Sequence, residues 1–192
     1  MPMTSLHDDA VRVLAGFEHA DPRQQALRDQ YLDFLGVHPD AMWRSLAVGH
    51  LTASSLVMDA SGEHVLLTLH PKVGRWLQLG GHCEPHDASL AAAAHREVVE
   101  ESGMPKARIS PEPIRLDRHP VPCGGATSEH LDVQYLALVA DGSAIVMSEE
   151  SDDLCWFGLD RLPADLDASV LGLIADAGRY RERGGEFFRP QG

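Results

Sequence analysis

The sequence predicts a mixed α/β sandwich that carries a helical extension at its N-terminus. The chain has 192 residues, of which 44% are hydrophobic, enough for one domain with a sizeable core. The predicted order is two helices, several strands, a helix, more strands and a last helix, which is typical of a mixed α/β sandwich. The hydrophobic period changes near Leu46. We therefore expect residues 1–45 to form the extension and residues 46–192 the main domain.

Two helices are expected in the extension. Residues 4–20 show a loose helical stripe that Thr4 or Ser5 can cap. The second helix has a clearer start, because Asp21 is suited to the N-cap and Pro22 to the first helical position. Its predicted apolar face comprises Leu27, Tyr31, Phe34 and Leu35.

Strand-like segments follow the extension. The first three are LAVGHLTASSLVMD (46–59), EHVLLTLH (63–70) and the short RWLQL (75–79). The later three are RISPEPIRLDRHPV (108–121), HLDVQYLALVA (130–140) and DDLCWFGLDRLP (152–163), which ends in a turn. A loop, PCGGATSE (122–129), is expected between the fourth and fifth segments.

Two further helices are predicted in the main domain. SLAAAAHREVVEESG gives the strongest helical signal, with Ser89 suited to the N-cap and Gly103 to the C-terminal end. DASVLGLIADAGRYRER (167–183) is amphipathic. We expect this last helix to bury Val170, Leu171, Leu173 and Ile174.

Composition excludes several classes of partner. The formal net charge is −13 and no run rich in Lys and Arg occurs, so we expect no duplex nucleic acid as a partner. No apolar run approaches the roughly 20 residues that cross a bilayer, so no membrane partner is expected. The cysteines at 83, 123 and 155 are odd in number and far apart, and the first residues lack a signal-peptide pattern. We therefore expect a reduced, cytoplasmic protein.

Three glutamates share one face of the strongest predicted helix. Glu97, Glu100 and Glu101 are spaced i, i+3 and i+4. Their like charges repel one another, and the helix dipole disfavours negative charge in the last turns. A solvated acidic surface is one interpretation. The position of the charges favours the other, a site for a hard divalent cation such as Mg²⁺, which relieves both costs.

The segment GGHCEPHDASLAAAAHREVVEESGM resembles the Nudix box, the signature of the Nudix hydrolases, or MutT-like proteins. The family pattern is G, five residues, E, seven residues and R-E-U-x-E-E-x-G-U, where U is a bulky aliphatic residue. The matching positions of the second half are Arg96, Glu97, Val98, Glu100, Glu101, Gly103 and Met104. The first half carries one extra residue and has Asp87 where a glutamate is usual.

The resemblance implies a mixed sheet sandwiched between helices, and hydrolysis of a pyrophosphate bond in a nucleoside diphosphate linked to another group. The implied substrate is a small nucleotide or diphosphate. The resemblance further implies that Glu97, Glu100 and Glu101 hold Mg²⁺ or Mn²⁺. It makes Arg96, Glu100 and Glu101 catalytic candidates, with Arg96 positioning the acids. A later family glutamate that is both ligand and catalytic candidate best matches Glu150, although a solvated acidic turn explains that residue equally well.

The residues around the glycine pair are the candidates for substrate binding. They are Gly80, Gly81 and His82, and His82 is equally compatible with an ordinary loop histidine. The side-chain types that suit zinc in this stretch belong to His82, Cys83, Glu84, His86 and Asp87. No second ligand pair at structural-zinc spacing follows them. Glu129, His130 and Asp132 either reach the site or belong to a half-buried strand.

Two other functions are open at this point. Isopentenyl-diphosphate isomerase shares the Nudix fold and has a similar glycine-histidine pair, but its catalytic cysteine would fall at Gly80. The second alternative is a non-catalytic Nudix-like module that senses a nucleotide, although such modules often lose box acids that are all present here. The N-terminal helices either cover the sheet or form the interface of a homodimer.

Overall fold

The structure is a computed structural model, and it describes residues 5–123, 126–148, 151–184 and 186–188. Within these ranges the helices are α1 (Leu6–Ala15), α2 (Pro22–Val37), α3 (Leu90–Ser102) and α4 (Ala168–Glu182), with a short 3-10 turn at Glu186–Phe188. The strands are β1 (His50–Asp59), β2 (His64–His70), β3 (Arg75–Leu77), β4 (Leu79–His82), β5 (Arg108–Ile109), β6 (Arg115–Cys123), β7 (Ala126–Val139) and β8 (Asp153–Gly158). This mixed composition confirms the predicted fold class.

The eight strands form one curled mixed sheet with β1 at its centre. β1 runs parallel to β7 along its whole length, from the His50–His130 pair to the Asp59–Val139 pair. The other edge of β1 is shared, because its first half pairs antiparallel with β4 and its second half with β2. β2 also pairs with β3 and β8, and β7 also pairs with β5 and β6.

Helices cover both faces of the sheet. Leu51 and Ala53 of β1 belong to a hydrophobic cluster that includes residues of α1, α2 and α3. Leu56 and Met58 belong to a second cluster, which includes Val170 and other residues of α4. Because alternate residues of a strand point to opposite faces, the two clusters lie on opposite sides of the sheet.

The N-terminal helices pack directly on the sheet. Ser5 caps α1 through a capping box with Asp8, and the Asp21 side chain accepts a hydrogen bond from the backbone of Arg23 at the start of α2. The side-chain amide of Gln24 in α2 hydrogen-bonds to the backbone of β6, as the backbone of a neighbouring strand would. It donates to the carbonyl of Leu116 over 3.0 Å and accepts from the Leu116 N–H over 2.7 Å. The first turn of α2 is therefore joined to β6 by hydrogen bonds.

Several details differ from the expectations. α1 ends at Ala15 rather than near residue 20, and most of the loop expected at 122–129 belongs to β6 and β7. Leu171 was predicted to face inward, but it is 47% exposed. The buried residues of α4 follow Val170 at helical spacing, and Leu171 lies about 100° further round the helix.

None of the helices in the described ranges is long and apolar enough to span a membrane.

Candidate active site

Two hydrogen bonds and a left-handed glycine position α3, the helix that carries the predicted metal ligands. The Ser89 side chain accepts a hydrogen bond from the backbone of Ala92, which caps the N-terminus as predicted. Gly103 ends the helix in the left-handed conformation, with φ of 69°. An Asp9 carboxylate oxygen of α1 accepts the N–H of Leu90 over 2.9 Å. Both ends of α3 are thus fixed, and its last two turns lie beside β4.

The Arg96 guanidinium lies at the centre of the candidate site. It donates two hydrogen bonds of 3.1 Å to the Asp87 carboxylate and one of 2.8 Å to the carbonyl of His82. Its Nη1 donates to Glu97 and Glu100 over 2.8 and 2.9 Å. Burial works against the charged form, but the hydrogen bonds outweigh it and raise the pKa of Arg96. Arg96 therefore stays charged and holds two of the three predicted ligands that lie on α3.

Asp87 is the residue that stands where the family pattern has a glutamate. It is buried, and besides Arg96 it binds the backbone N–H of Glu84 over 2.8 Å. The extra residue in the first half of the box is therefore compatible with an acid that reaches Arg96. These contacts tie Asp87 to the same guanidinium that binds Glu97 and Glu100.

Glu97 and Glu101 lie against the two glycines of β4. The N–H of Gly80 donates to Oε1 of Glu101 over 2.7 Å. A methyl group added at Gly81 would lie 2.7 Å from Oε1 of Glu97. Glu97 and Glu101 are only 8% and 7% exposed. The Glu100 side chain is 57% exposed, so it is the member of the three that solvent reaches.

Gly80 also permits the close approach of β4 to β1. A methyl group added there would lie 2.3 Å from Cβ and 2.6 Å from Cα of Ser54. Position 80 therefore has no room for a side chain. The cysteine that the isomerase alternative requires would fall at this position, so the geometry disfavours that alternative.

The side chains of α3 form an oxygen-only donor set. Oxygens of Glu97 and Glu100 converge on the same Arg96 nitrogen, and Glu101 faces β4 next to Glu97. Carboxylate oxygens are the ligands that Mg²⁺ and Mn²⁺ prefer, so the chemistry of this set fits the predicted ion. Among the described residues, three histidines place one ligand atom each within 4.8 Å of the other two. The three glutamates are not as close together. Glu150, with Glu149, lies outside the described residues.

The zinc-type cluster suggested by the sequence does not assemble. Asp87 is occupied by Arg96, and exposed His86 lies 3.3 Å from a carboxylate oxygen of Glu84. Cys83 belongs to a hydrophobic cluster, and burial raises the pKa of its thiol to about 12. A thiol held protonated is a poor zinc ligand, because the thiolate is the binding form.

His82 contacts two other histidines instead. Its ring centre lies 5.0 Å from that of His50 and 5.1 Å from that of His130, and the last two are 4.9 Å apart. Burial lowers the pKa of His82, and burial with repulsion between the rings lowers that of His50 to about 4 and that of His130 to about 3. Sequence reasoning missed His50. The alternation of His50, Thr52 and Ser54 along a strand was the signal that could have revealed it.

Asp132 of β7 lies beside these alternating polar residues of β1. It is fully buried and accepts hydrogen bonds from Thr52 over 2.9 Å, from Ser54 over 2.6 Å and from Gln134 over 3.0 Å. Burial raises the pKa of Asp132 in spite of these hydrogen bonds. Asp132 and His130 lie on the sheet face opposite to α3, since their neighbours Leu131 and Val133 pack in the cluster that includes α3.

One curated protein with significant similarity is the NAD-capped RNA hydrolase NudC of Stutzerimonas stutzeri (strain A1501). It is 31% identical over 116 residues, which cover 59% of this chain and 39% of that protein. The chain therefore matches well under half the length of this relative.

Solved structures share the fold. The binary complex of an Ap4A hydrolase from C. elegans has a TM-score of 0.54 and 19% identity, covering 69% of this chain and 98% of that one. A NUDIX family hydrolase from Clostridium perfringens has a TM-score of 0.53 and 22% identity, covering 69% and 98%. The NUDIX domain of Shewanella oneidensis NrtR in complex with ADP ribose has a TM-score of 0.53 and 20% identity, covering 77% and 96%.

A family model described as the NUDIX domain matches residues 49–176, which is most of the chain. The match contains the whole box segment, from the glycine pair of β4 to the end of α3. The fold agrees with that of the solved NUDIX structures. The chain belongs to the NUDIX domain family.

Proposed function

We propose that the protein is a divalent-metal-dependent hydrolase that cleaves a pyrophosphate bond in a nucleoside diphosphate linked to another group. The observation that carries the proposal is the arrangement of Glu97, Glu100 and Glu101, with two carboxylates tied to Arg96 and the third to the backbone of Gly80. Family membership supports it, as do the hydrolase names of similar proteins.

The glutamates are proposed to hold Mg²⁺ or Mn²⁺, with Glu150 as a further ligand from the later loop. Such an ion, when bound, neutralises charge on phosphate oxygens and activates water. Glu101 suits a ligand whose position must not change, because the Gly80 N–H fixes its carboxylate. Glu100 is exposed, which suits a group that accepts a proton from the attacking water.

Arg96 is proposed to act as a positioning residue. Its five hydrogen bonds go to Asp87, His82, Glu97 and Glu100, all groups of the protein itself. A guanidinium held in this way fixes the directions of two carboxylates before substrate arrives. This is the positioning role that the resemblance implied for Arg96.

The substrate is proposed at the level of its class. Similar proteins are named for NAD-capped RNA and Ap4A, and one solved neighbour contains ADP ribose. These ligands share a nucleoside diphosphate unit, which is the unit we propose for this chain. The absence of duplex nucleic acid as a partner, a cytoplasmic location and a homodimer stay predictions.

We propose further that residues 1–45 are a helical extension of a Nudix hydrolase domain at 46–192. The start of the family match at residue 49 supports this boundary.

The test is Glu101→Gln, assayed with Mg²⁺ on ADP ribose, a dinucleoside tetraphosphate and an NAD-capped RNA. We expect turnover to fall at least about a hundredfold. Mutating a residue that only supports a metal ligand already lowers activity about tenfold to a hundredfold, and Glu101 is proposed to be a ligand itself. Glutamine can still accept the Gly80 N–H, so circular dichroism and melting temperature should stay unchanged. Wild-type activity should disappear with a chelator and return with added Mg²⁺.

Glu182→Gln is the matched control, since Glu182 is an exposed acid on α4, far along the chain from the box. It should retain full activity. If Glu101→Gln hydrolyses the best substrate as fast as the control does, the proposed function is wrong.

A further inference from the structure

Three imidazole side chains meet on the sheet face opposite to the glutamates of α3. His50 and His130 are register partners in the parallel β1–β7 pair, and His82 of β4 lies opposite Thr52 of β1. Gly81 faces Glu97, so the next residue, His82, points to the other face. The histidine trio and the glutamates are therefore separate groups on the two faces of β4.

Ring nitrogens of the trio are buried and unpaired among the described residues. His50 is completely buried, and Nε2 of His82 and Nε2 of His130 are buried without a hydrogen-bond partner in the described structure. Leaving a buried polar atom unpaired is costly, and native proteins rarely do so without a reason. Three rings in mutual contact point to one bound species that interacts with all three.

The spacing of the rings fits one metal ion. Each of the three residues offers a ligand atom within 4.8 Å of the other two, and the ring centres are 4.9 to 5.1 Å apart. A tetrahedral zinc ion holds imidazole nitrogens at about 2.1 Å, which places the centres of two bound rings about 5 Å apart. The ring centres therefore already have the separation that one bound ion requires.

Neighbouring groups leave the trio free for this role. His119, whose ring lies 5.5 Å from that of His130, is already paired with Asp117 over 2.8 Å. The Asp132 carboxylate accepts hydrogen bonds from Thr52 and Ser54. It is a buried acid on the same sheet face as His130, two residues further along β7. The carbonyl of His82 is held by Arg96, which fixes the backbone that carries one of the rings.

We propose that His50, His82 and His130 form a binding site for one transition-metal ion of the zinc class. Neutral imidazoles suit such ions, whereas carboxylates suit Mg²⁺, so the two sites differ in metal preference. Three protein ligands leave a fourth position for water or a substrate group. His82 and His130 are partly exposed as residues, whereas their Nε2 atoms are buried.

The test uses the full chain without a histidine tag, stripped of metal with a chelator and titrated with Zn²⁺ and with Co²⁺. We expect one equivalent of metal by elemental analysis and the visible absorption of tetrahedral cobalt. His130→Ala and His82→Ala should weaken binding by at least about a hundredfold. His86→Ala removes an exposed histidine of the same segment and should bind like wild type. Glu101→Gln should also retain the zinc-class ion, which separates this site from the proposed Mg²⁺ site.

Circular dichroism of the metal-free variants checks that they are folded. If one variant is unfolded, the other decides, since the proposal requires both rings. The proposal is overturned if the wild type binds no stoichiometric Zn²⁺, or if a folded His82→Ala or His130→Ala variant binds as tightly as wild type. Loss of binding in Glu101→Gln or His86→Ala with retention in the trio variants would also overturn it. None of these readouts depends on hydrolysis.

Discussion

Gly80 and Gly81 are adjacent, but a side chain would disturb different parts of the molecule at each. At Gly81 the added carbon meets the end of the flexible Glu97 side chain, whereas at Gly80 it meets Cα and Cβ of Ser54. A flexible carboxylate can move aside, but the backbone of a central strand cannot do so cheaply. A substitution at Gly81 therefore displaces a proposed metal ligand, whereas a substitution at Gly80 disturbs the sheet.

We predict that Gly81→Ala lowers turnover at least tenfold with a small change in melting temperature, because it displaces Glu97. We predict that Gly80→Ala costs about 2 kcal/mol or more in the free energy of unfolding, because it separates β4 from β1. Urea denaturation and the hydrolysis assay measure both effects. Gly36→Ala serves as the control, because Gly36 is exposed on α2, has open space around its Cα and has no left-handed backbone angle; it should lose neither stability nor turnover. Equal losses of stability in the two β4 variants would contradict this assignment.

The residues of the candidate site were not equally predictable. Arg96 and the glutamates lie on one helix, so their spacing in the chain gives their relation in space. The histidine trio comes from β1, β4 and β7, which are joined only by strand pairing. A single sequence does not contain that register, which is why His50 was missed and His130 stayed ambiguous.

At the scale of elements, α1 supports the start of α3. The Asp9 carboxylate accepts the N–H of Leu90, a group that has no partner within its own helix. We predict that Asp9→Ala costs about 1 to 2 kcal/mol in the free energy of unfolding, since it removes this acceptor and leaves a buried donor. Faster hydrogen exchange at the Leu90 amide is the specific readout. Asp33→Ala, at an exposed acid of α2, should change neither quantity.

Element boundaries were predictable where local chemistry sets them. Asp21, Ser89 and Gly103 occupy the expected capping positions, because a cap depends on a few neighbouring residues. The extension of β6 and β7 through most of 122–129 was not predictable from turn residues. It depends on long antiparallel pairing, with Arg115 opposite Gln134 and the register continuing to Cys123 opposite Ala126.

At the scale of the whole molecule, Asp176 joins three distant parts of the chain. Its carboxylate lies 2.7 Å from Nε2 of His19, accepts from Arg115 over 2.8 Å and also binds Arg179. Its side chain is only 2% exposed. Burial would raise the pKa of Asp176, but the hydrogen bonds outweigh it and hold the pKa below the usual 3.8.

A carboxyl group whose pKa is lower in the folded state than in the unfolded state stabilises the protein at a pH above its unfolded-state pKa. This stabilisation is lost as the pH falls through the folded-state pKa. We predict that Asp176→Asn costs about 2 kcal/mol at pH 7 and that the difference from wild type shrinks below about pH 4. Denaturation at several pH values measures this difference. Asp160→Asn, at an exposed acid, should follow wild type throughout. A difference that stays constant down to pH 2 would contradict the assigned role of Asp176.

The global arrangement was predictable only as a class. The order of helices and strands predicted a mixed sandwich, and the structure confirms it. The sharing of one edge of β1 between β4 and β2 was not predictable, because it depends on contacts between segments far apart in the chain. The same applies to the Asp176 contacts, which join residues 61 and 157 positions away in sequence.

β4 lies between the two proposed metal sites. The carbonyl of His82 is bound by Arg96 while its ring belongs to the histidine trio, and Gly80 and Gly81 contact Glu101 and Glu97. If both proposed sites bind their ions, a ligand that shifts this strand from one face would change the free energy of binding on the other. Such coupling is reciprocal by necessity, so each ligand alters the affinity of the other by the same factor. An effect of a substitution on one face of β4 consequently has to be measured with the opposite face in a defined state.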